Sequence, residues 1–233
     1  MSDRGLNIAI IAAAGIGTRM DAGRAKQMIE LGGVPLLVHT LTRFEQSSAI
    51  DQVILVLQPD LTTEVLGLIS RYRLEKVSRV VAGGAERQDS VYRGLQVVDE
   101  RSTDIVAIHD AVRPFVRPGE IDAVVERAQT KGAAVLALAA IDTIKQVKSG
   151  RIKRTLNRRQ IYYAQTPQAF RFSILKEAYD RALADGFAAT DDSQLVERIG
   201  HRVSIVEGSP INIKITRPLD MCIAEAIRSQ FFS

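Results

Sequence analysis

The sequence contains a single cysteine and no long hydrophobic run, and each shortage narrows the possible classes of protein. One cysteine cannot form an internal disulfide, so the composition fits a reducing compartment. Cys222 lies within an apolar helical pattern, which predicts a buried structural thiol. The apolar run 6–14 is too short to span a bilayer, and the Gly-Ile-Gly-Thr-Arg segment after it is a poor signal-peptide cleavage region. We therefore expect a cytoplasmic protein without a membrane partner.

The charge balance also lacks a strong bias of either sign. The 31 lysines and arginines exceed the 27 aspartates and glutamates, which gives a formal net charge of +4. This surplus is too small to require a nucleic-acid partner, although it suits anionic small molecules. No segment of the 233 residues resembles an interdomain linker, so we predict one domain over residues 1–233.

Short apolar runs rich in valine and isoleucine alternate with amphipathic segments. The runs predict buried strands at residues 7–14, 52–57, 77–82, 104–108 and 133–140, with later strands at 202–206 and 211–216. The amphipathic segments predict helices at 34–46, 62–72, 87–99, 119–131, 172–185, 193–199 and 218–230. This alternation indicates an α/β fold with a mostly parallel sheet and helices on both faces. Such sheets bind ligands at the carboxyl ends of their strands.

The alternation is interrupted between residues 143 and 165. Residues 145–159 contain seven lysines and arginines and no acidic residue, with Ser149-Gly150 in the middle as in a hairpin turn. An isolated hairpin is marginally stable in water, so we predict a two-stranded arm that packs against a second subunit. The cations could alternatively bind nucleic-acid phosphates or a small phosphorylated substrate, or simply be solvated. No aromatic residue is interleaved with them to stack on bases.

The first polar motif follows the first predicted strand and combines small residues with two cations: Ala13, Ala14, Gly15, Gly17, Arg19 and Lys26. Small residues allow backbone N–H groups to approach an anion closely, and the two cations could surround it. A dinucleotide fingerprint would need a third glycine where Met20 stands, and the Gly-Lys-Ser/Thr of a P-loop is absent. The motif therefore indicates another kind of phosphate-binding loop, with an ordinary strand-to-helix turn as the alternative.

The third predicted strand is followed by Gly83-Gly84, with Arg87 and Ser90 downstream. The two glycines suit a tight turn that leads into a helix. This motif either contributes to a ligand site or is a simple turn followed by a solvated arginine.

The fourth predicted strand ends in His109-Asp110, and Arg113 follows in the next turn. A carboxylate at a strand end can hold a metal, a hydroxyl group or a cation. An Asp110–Arg113 ion pair is the simpler alternative, and His109 alone predicts a hydrogen-bonded histidine at a strand end.

Strict alternation over residues 211–216 would place three isoleucines on one face of a strand and Asn212, Lys214 and Thr216 on the other. Lys214 is therefore a candidate site residue, with an exposed edge strand as the alternative. Thr216 is also placed to cap the last helix, and Asp191-Asp192 is typical of a helix cap.

Taken together, these motifs resemble the 2-C-methyl-D-erythritol 4-phosphate cytidylyltransferase family of non-mevalonate isoprenoid biosynthesis. The matching stretches lie between residues 12 and 220 and read AAAGIGTRM with KQ, GGAERQDSV, HDAVRPFV, DTIK, AQTPQAF, TDDSQLVE and NIKITRPLD. The resemblance implies a Rossmann-like nucleotidyltransferase (GT-A-like) core and a homodimer in which a β-arm at about 143–165 reaches the neighbouring site. Ala12 and Val112 depart from the family's usual proline and alanine, and the arm is slightly short, but none of these departures removes a charged group from the implied site.

The resemblance also implies the reaction and the roles of individual residues. CTP, with Mg²⁺ on its triphosphate near Asp110, would react with the phosphate of methylerythritol phosphate and release pyrophosphate. Arg19 and Lys26 would stabilise the transition state, and the nucleotide-binding residues would be Ala13, Ala14, Gly15, Gly17, Gly83, Gly84, Ser90 and Asp110. The sugar phosphate would be positioned by Arg113, Thr143, Arg158, Thr166 and Lys214, with Thr143 and Arg158 acting from the partner's arm.

Three other functions would account for part of the sequence. Ribitol-5-phosphate cytidylyltransferases share these motifs and the same chemistry. A molybdopterin-type or hexose-phosphate nucleotidyltransferase would leave the AQTPQ and NIKIT stretches unexplained. An RNA-binding module that used the cationic arm would bind RNA with a steep dependence on salt.

Overall fold

The computed structural model describes residues 5–15 and 25–231 of the chain. Within these ranges the strands are β1 (Leu6–Ala13), β2 (Glu30–Leu31), β3 (Val34–Pro35), β4 (Gln52–Leu57), β5 (Val77–Ala82), β6 (Thr103–Asp110), β7 (Ala133–Ala139), β8 (Lys145–Lys148), β9 (Arg151–Thr155), β10 (Tyr162–Arg171) and β11 (Ser204–Glu207). The helices are α1 (Leu36–Gln46), α2 (Thr62–Arg71), α3 (Arg87–Gln96), α4 (Pro118–Lys131), α5 (Phe172–Ala184), α6 (Asp192–Arg198) and α7 (Pro218–Phe231).

The main sheet has the strand order β11-β7-β10-β6-β1-β4-β5. Every neighbouring pair is parallel except the two pairs that β10 makes with β6 and β7. Within the sheet, Ile10 of β1 is in register with Ile54 on one side and Ile108 on the other. The predicted α/β fold with a mostly parallel sheet is confirmed.

The side chains of β1 alternate between two helix layers, which explains why its sequence is continuously apolar. Ile8 and Ile10 pack in a core with α3, α5 and α6. Ala9 and Ile11 face the opposite side and pack in a second core with α1, α2 and α4. Because both faces of the strand are buried, neither face tolerates the polar residues that an exposed sheet would carry.

Strand β10 was not predicted, although it lies inside the sheet. Its sequence includes Gln165, Thr166, Pro167 and Gln168, which interrupt any apolar pattern. The register with β7 shifts between Ala164 and Gln168, and this irregularity accommodates the proline inside the sheet. The buried glutamines are satisfied by hydrogen bonds to other elements, including Gln165 Nε2 to the carbonyl of Ser209 at 2.9 Å.

The predicted strand at residues 211–216 is wrong, because that segment is irregular. Its backbone forms isolated hydrogen bonds instead of a strand ladder. The N–H of Asn212 donates to the carbonyl of Ser209, and the N–H of Ile215 donates to the carbonyl of Val112. Asn212 is fully buried and donates its amide to the carbonyl of Thr166 at 3.0 Å. Asn212 and Ile215 are buried while Lys214 is half-buried, so burial does not follow the alternation that a strand would show.

The predicted hairpin is confirmed, since β8 and β9 pair antiparallel. Ser149 and Gly150 have φ of 50° and 75°, as a tight hairpin turn requires. Both strands are exposed along their whole length, including the apolar side chains of Val147 and Ile152. We refer to β8, β9 and their connections over residues 143–165 as the arm.

Two further expectations can be checked against the helices. Cys222 is exposed, so the predicted buried thiol is wrong; α7 buries Ala224 and Ile227, and Cys222 lies off that face. The helix expected from residue 34 begins at Leu36, because Val34 and Pro35 pair with β2. Among the helices described, none has the length and apolar character needed to cross a membrane.

Candidate active site at the carboxyl edge of the sheet

A cavity of about 380 Å³ opens where β1, β5 and β6 end. Asp110, the last residue of β6, is in register with Ala12 of β1. The chain leaves β1 towards β4 on one side, while β6 flanks β1 on the other, so the cavity lies at the switch point of the sheet, where α/β proteins bind ligands. It is lined by Ala12, Ala13, Ala14, Gly15, Lys26, Gln27, Gly84, Ala85, Glu86, Arg87, Ser90, Asp110, Ala111, Val112, Lys214 and Thr216.

The loop after β1 is held by two glutamine side chains from neighbouring segments. Gln27 donates to the carbonyl of Ala13 at 2.6 Å, and Gln58 donates to that of Ala14 at 3.0 Å. With these carbonyls bonded away, Ala13, Ala14 and Gly15 line the cavity beside Lys26. The predicted residues Gly17 and Arg19 lie outside the described part of the chain.

The glycines after β5 are required by close packing. A Cβ on Gly83 would clash with the methyl group of Ala14, and one on Gly84 would clash with Asp89. Ser90 accepts from the N–H of Gly84 at 3.0 Å and donates to the carbonyl of Glu86 at 3.0 Å. Gly84 and Ser90 therefore line the cavity as parts of one turn, while Gly83 lies behind it.

Asp110 is the centre of the charged wall of the cavity. Its carboxylate is 9% exposed and forms ion pairs with Arg87 at 3.1 Å, Arg113 at 3.3 Å and Lys214 at 3.0 Å. Burial alone would raise the pKa of Asp110, but Arg87, Lys214 and Arg113 outweigh it and hold the pKa well below its ordinary value. We call these four residues the Asp110 cluster; its three cations surround one carboxylate.

His109 and Thr166 support Asp110 from behind. The hydroxyl of Thr166 accepts from the N–H of Asp110 at 3.1 Å and lies 3.0 Å from His109 Nδ1. The carbonyl of Arg113 can only accept, so His109 Nε2 carries the imidazole proton and donates to it at 3.1 Å. Nδ1 is then the acceptor for the Thr166 hydroxyl. Burial lowers the pKa of His109 to about 3, so the ring is neutral. The predicted hydrogen-bonded strand-end histidine is confirmed.

Arg87 is the residue of this site whose importance the sequence did not show. A solvated arginine is one interpretation of its motif, but its guanidinium bonds both Asp110 and Asp192. Asp191 caps α6 by accepting from Gln194 at 3.0 Å, as expected, whereas Asp192 forms the ion pair with Arg87 instead. A helix has only one N-cap residue, so the second aspartate of Asp191-Asp192 needed a different role, and this was the signal in the sequence for its ion pair.

The remaining predicted residues fall into two groups. Arg113 and Thr166 support the wall without lining the cavity, and Arg113 also donates to the carbonyl of Asn212 at 2.8 Å. Thr143 and Arg158 are exposed on the arm, where Arg158 bonds the carbonyl of Ile141. The described site residues predicted from the sequence that line the cavity are Ala13, Ala14, Gly15, Lys26, Gly84, Ser90, Asp110 and Lys214.

The lining offers little for direct metal binding. Over residues 5–15 and 25–231, there is no group of three or more His, Cys, Asp or Glu side chains that could hold a metal ion. Both oxygens of Asp110 already face cations. Mg²⁺ commonly binds through substrate phosphates with one or two carboxylates. The lining is therefore compatible with a Mg²⁺ ion that is bound mainly by the phosphate groups of a ligand.

A switch-point cavity lined by the loop after β1, Lys26 and Lys214 suits a phosphorylated ligand, as the site of a nucleotidyltransferase does. Residues 7–230 match the sequence model of 2-C-methyl-D-erythritol 4-phosphate cytidylyltransferase. Proteins of that name from Bacillus velezensis and Syntrophus aciditrophicus are 46% and 47% identical, over 94% of this chain and 94% of each relative. The chain therefore belongs to the 2-C-methyl-D-erythritol 4-phosphate cytidylyltransferase family, and the predicted family is confirmed.

Solved structures agree with this assignment. The structure of 4-diphosphocytidyl-2C-methyl-D-erythritol synthase from Anaerococcus prevotii has a TM-score of 0.87 and 32% identity, with 97% of each chain covered. The 2-C-methyl-D-erythritol 4-phosphate cytidylyltransferase of Thermus thermophilus has a TM-score of 0.78 and 33% identity, over 97% of this chain and 99% of that one.

Proposed function

We propose that this chain transfers CMP from CTP to 2-C-methyl-D-erythritol 4-phosphate, which forms 4-diphosphocytidyl-2-C-methyl-D-erythritol and pyrophosphate. The observation that carries the proposal is the cavity, where the loop after β1, Lys26 and the Asp110 cluster meet in a member of that family. A phosphate oxygen of the acceptor forms a bond to the α-phosphorus of CTP. The bond from that phosphorus to the bridging oxygen breaks, and pyrophosphate leaves with the electron pair.

The reaction needs cations more than it needs a base. A phosphate monoester is already ionised near neutral pH, so the main barrier is the approach of one anion to another. Lys26 lines the cavity, and we assign it to stabilising the transition state together with Arg19. We assign Lys214 to the sugar phosphate, with Arg113 and Thr166 holding Asp110 in place behind it.

We assign the turn at Gly83, Gly84 and Ser90 to the nucleoside part of CTP. Since the Ser90 hydroxyl already bonds within this turn, its main contribution is to fix the backbone that faces the cavity. Mg²⁺ would be held by the triphosphate oxygens near Asp110, where it would offset their charge.

We also propose that the enzyme is a cytoplasmic homodimer in which each arm completes the partner's site. The arm and the residues just before it expose large apolar side chains that water would not favour: Ile141, Val147, Ile152, Tyr162 and Tyr163. Thr143 and Arg158 lie on the same arm and do not line the cavity of their own chain. If a second copy covered this arm, the apolar groups would be buried, and Thr143 and Arg158 would reach the cavity of that second copy.

The test is an assay of pyrophosphate release by the purified protein with CTP and Mg²⁺. We expect release with 2-C-methyl-D-erythritol 4-phosphate and at most weak release with ribitol 5-phosphate. Release with ribitol 5-phosphate alone would overturn the assigned acceptor, and release with neither acceptor would overturn the proposed function.

A further inference from the structure

Arg87 connects the cavity to a buried carboxylate outside it. Its Nε donates to Asp110 Oδ1 at 3.1 Å, and its Nη2 donates to Asp192 Oδ2 at 2.8 Å. The other oxygen of Asp192 accepts from the hydroxyl of Tyr179 at 2.5 Å. One chain of hydrogen bonds thus joins α5, α6 and α3 to the end of β6.

The anchor of this chain is more deeply buried than the part that faces the cavity. Asp192 is 1% exposed and Tyr179 is 2% exposed, whereas the Arg87 side chain is 30% exposed. Burial, followed by the neighbouring Asp192, raises the pKa of Tyr179 well above its ordinary value, so its hydroxyl remains a donor. A buried carboxylate is stabilised only when it is paired and hydrogen-bonded, and Asp192 has both kinds of partner.

The shape of the guanidinium makes the anchor matter for Asp110. Its N–H groups point in fixed directions within one plane, so holding Nη2 on Asp192 fixes where Nε meets Asp110. Arg87 occupies Oδ1 of Asp110, and Arg113 and Lys214 share Oδ2. Arg87 therefore sets the orientation of the carboxylate against which Lys214 is held at the cavity wall.

We propose that Arg87, anchored by Asp192 and Tyr179, is a positioning residue for the transfer reaction and acts through Asp110. This proposal rests on the proposed function of the cavity. The sequence motifs offered Arg87 only as part of a possible ligand site or as a solvated arginine, and Asp192 only as part of a helix cap. Asp192 and Tyr179 do not line the cavity, and the hydrogen bond from Arg87 to Asp192 connects them to it.

The decisive variant is Asp192→Asn, which keeps the side-chain shape but removes the charge that holds Arg87. We expect kcat to fall about tenfold or more, as for other residues that orient site groups, while the KM for CTP stays within about threefold. Tyr179→Phe should give a smaller loss in the same direction. Arg87→Lys should not restore activity relative to Arg87→Met, because one ammonium group cannot serve both carboxylates in the guanidinium geometry.

A double-mutant cycle separates positioning from a merely structural role. If Asp192 acts only through Arg87, then Arg87→Met with Asp192→Asn will have the kcat of Arg87→Met alone. The matched control is Asp122→Asn, since Asp122 accepts from Ser47, Ser48 and Ala49 away from the cavity lining. That control should lower the melting temperature without changing kcat.

The experiment measures pyrophosphate release from CTP and 2-C-methyl-D-erythritol 4-phosphate, with thermal unfolding of each variant alongside. An unchanged kcat in Asp192→Asn, or an equal loss from Asp192→Asn with and without Arg87, would overturn the proposal alone. If Asp192→Asn does not fold, the same cycle with Tyr179→Phe decides the question. No turnover by the wild-type chain would instead overturn the proposed function, and this proposal with it.

Discussion

The Asp110 cluster and the arm are both rich in cations, but burial gives those cations different properties. In the Asp110 cluster, Arg87, Arg113 and Lys214 surround one carboxylate that is 9% exposed. On the arm, the cations of β8 and β9 are exposed, and no ion pair between described residues includes them. Charge count alone would treat the two regions as equivalent.

The difference shows where cations can act by themselves. In the partly buried cavity, a fixed cation interacts strongly with a developing negative charge, because less water competes with it than at the surface. On the exposed arm, water screens the same charge, and a substituted cation should have little effect until another surface covers it. The cavity should therefore hold the essential chemistry of its own chain, while the arm should matter only within an assembly.

The largest expected effect is that of Lys26→Met at the cavity. We expect kcat to fall by about two decades or more, as when a single donor to a transition-state oxyanion is removed. The measurement is steady-state release of pyrophosphate. Lys176→Met is the matched control, because Lys176 pairs with Asp180 on the surface of α5 and should leave turnover unchanged. A loss of less than about tenfold for Lys26→Met would place the essential cation elsewhere.

The next effect is that of Gly83→Ala, which forces a methyl group against Ala14. Overpacking of this kind costs about 1–3 kcal/mol of unfolding free energy and should displace the loop after β1, with loss of CTP binding. Gly119→Ala is the control, since nothing lies within 4 Å of the new methyl group on α4. Denaturant unfolding and a CTP titration measure both changes, and equal behaviour of the two variants would contradict the packing argument.

A smaller effect is expected from the titration of His109. Burial lowers its pKa to about 3, whereas the unfolded imidazole titrates near pH 6.5. Between those values the unfolded chain binds a proton that the folded chain does not, so the free energy of unfolding falls as the pH falls. From pH 7 to pH 5 this contribution is about 2 kcal/mol.

The check is urea unfolding of His109→Gln at both pH values. The variant should be less stable at pH 7 but should lack this part of the pH dependence. His201→Gln, at an exposed position, should keep it. A pH dependence in His109→Gln equal to that of the wild type would show that His109 is not the titrating group.

Local patterns in the sequence were sufficient for the parallel strands, the helices and the hairpin, because each of these buries or exposes residues at a regular period. They were insufficient for β10, whose polar residues are satisfied only by partners such as Ser209 that lie far along the chain. The position of Lys214 at the cavity was expected, but through a strand that does not form at residues 211–216.

The same limit applies to the charged network. Arg87 and Asp192 are separated by 105 residues, and no spacing rule links them. Their partnership follows from the packing of α3 and α6 on one face of the sheet. Several residues that line the cavity could thus be named from motifs, whereas the network behind them required the folded chain.

The most direct test of a shared site is complementation between Lys26→Met and Arg158→Ala chains, each of low activity alone. If the arm serves the partner's cavity, a mixed dimer has one site with both an intact Lys26 and an intact Arg158. Random pairing of co-expressed chains should then recover about a quarter of wild-type turnover, because half of the dimers are mixed and half of their sites are complete. Turnover no higher than the average of the two separate variants would contradict an arm that acts on its partner.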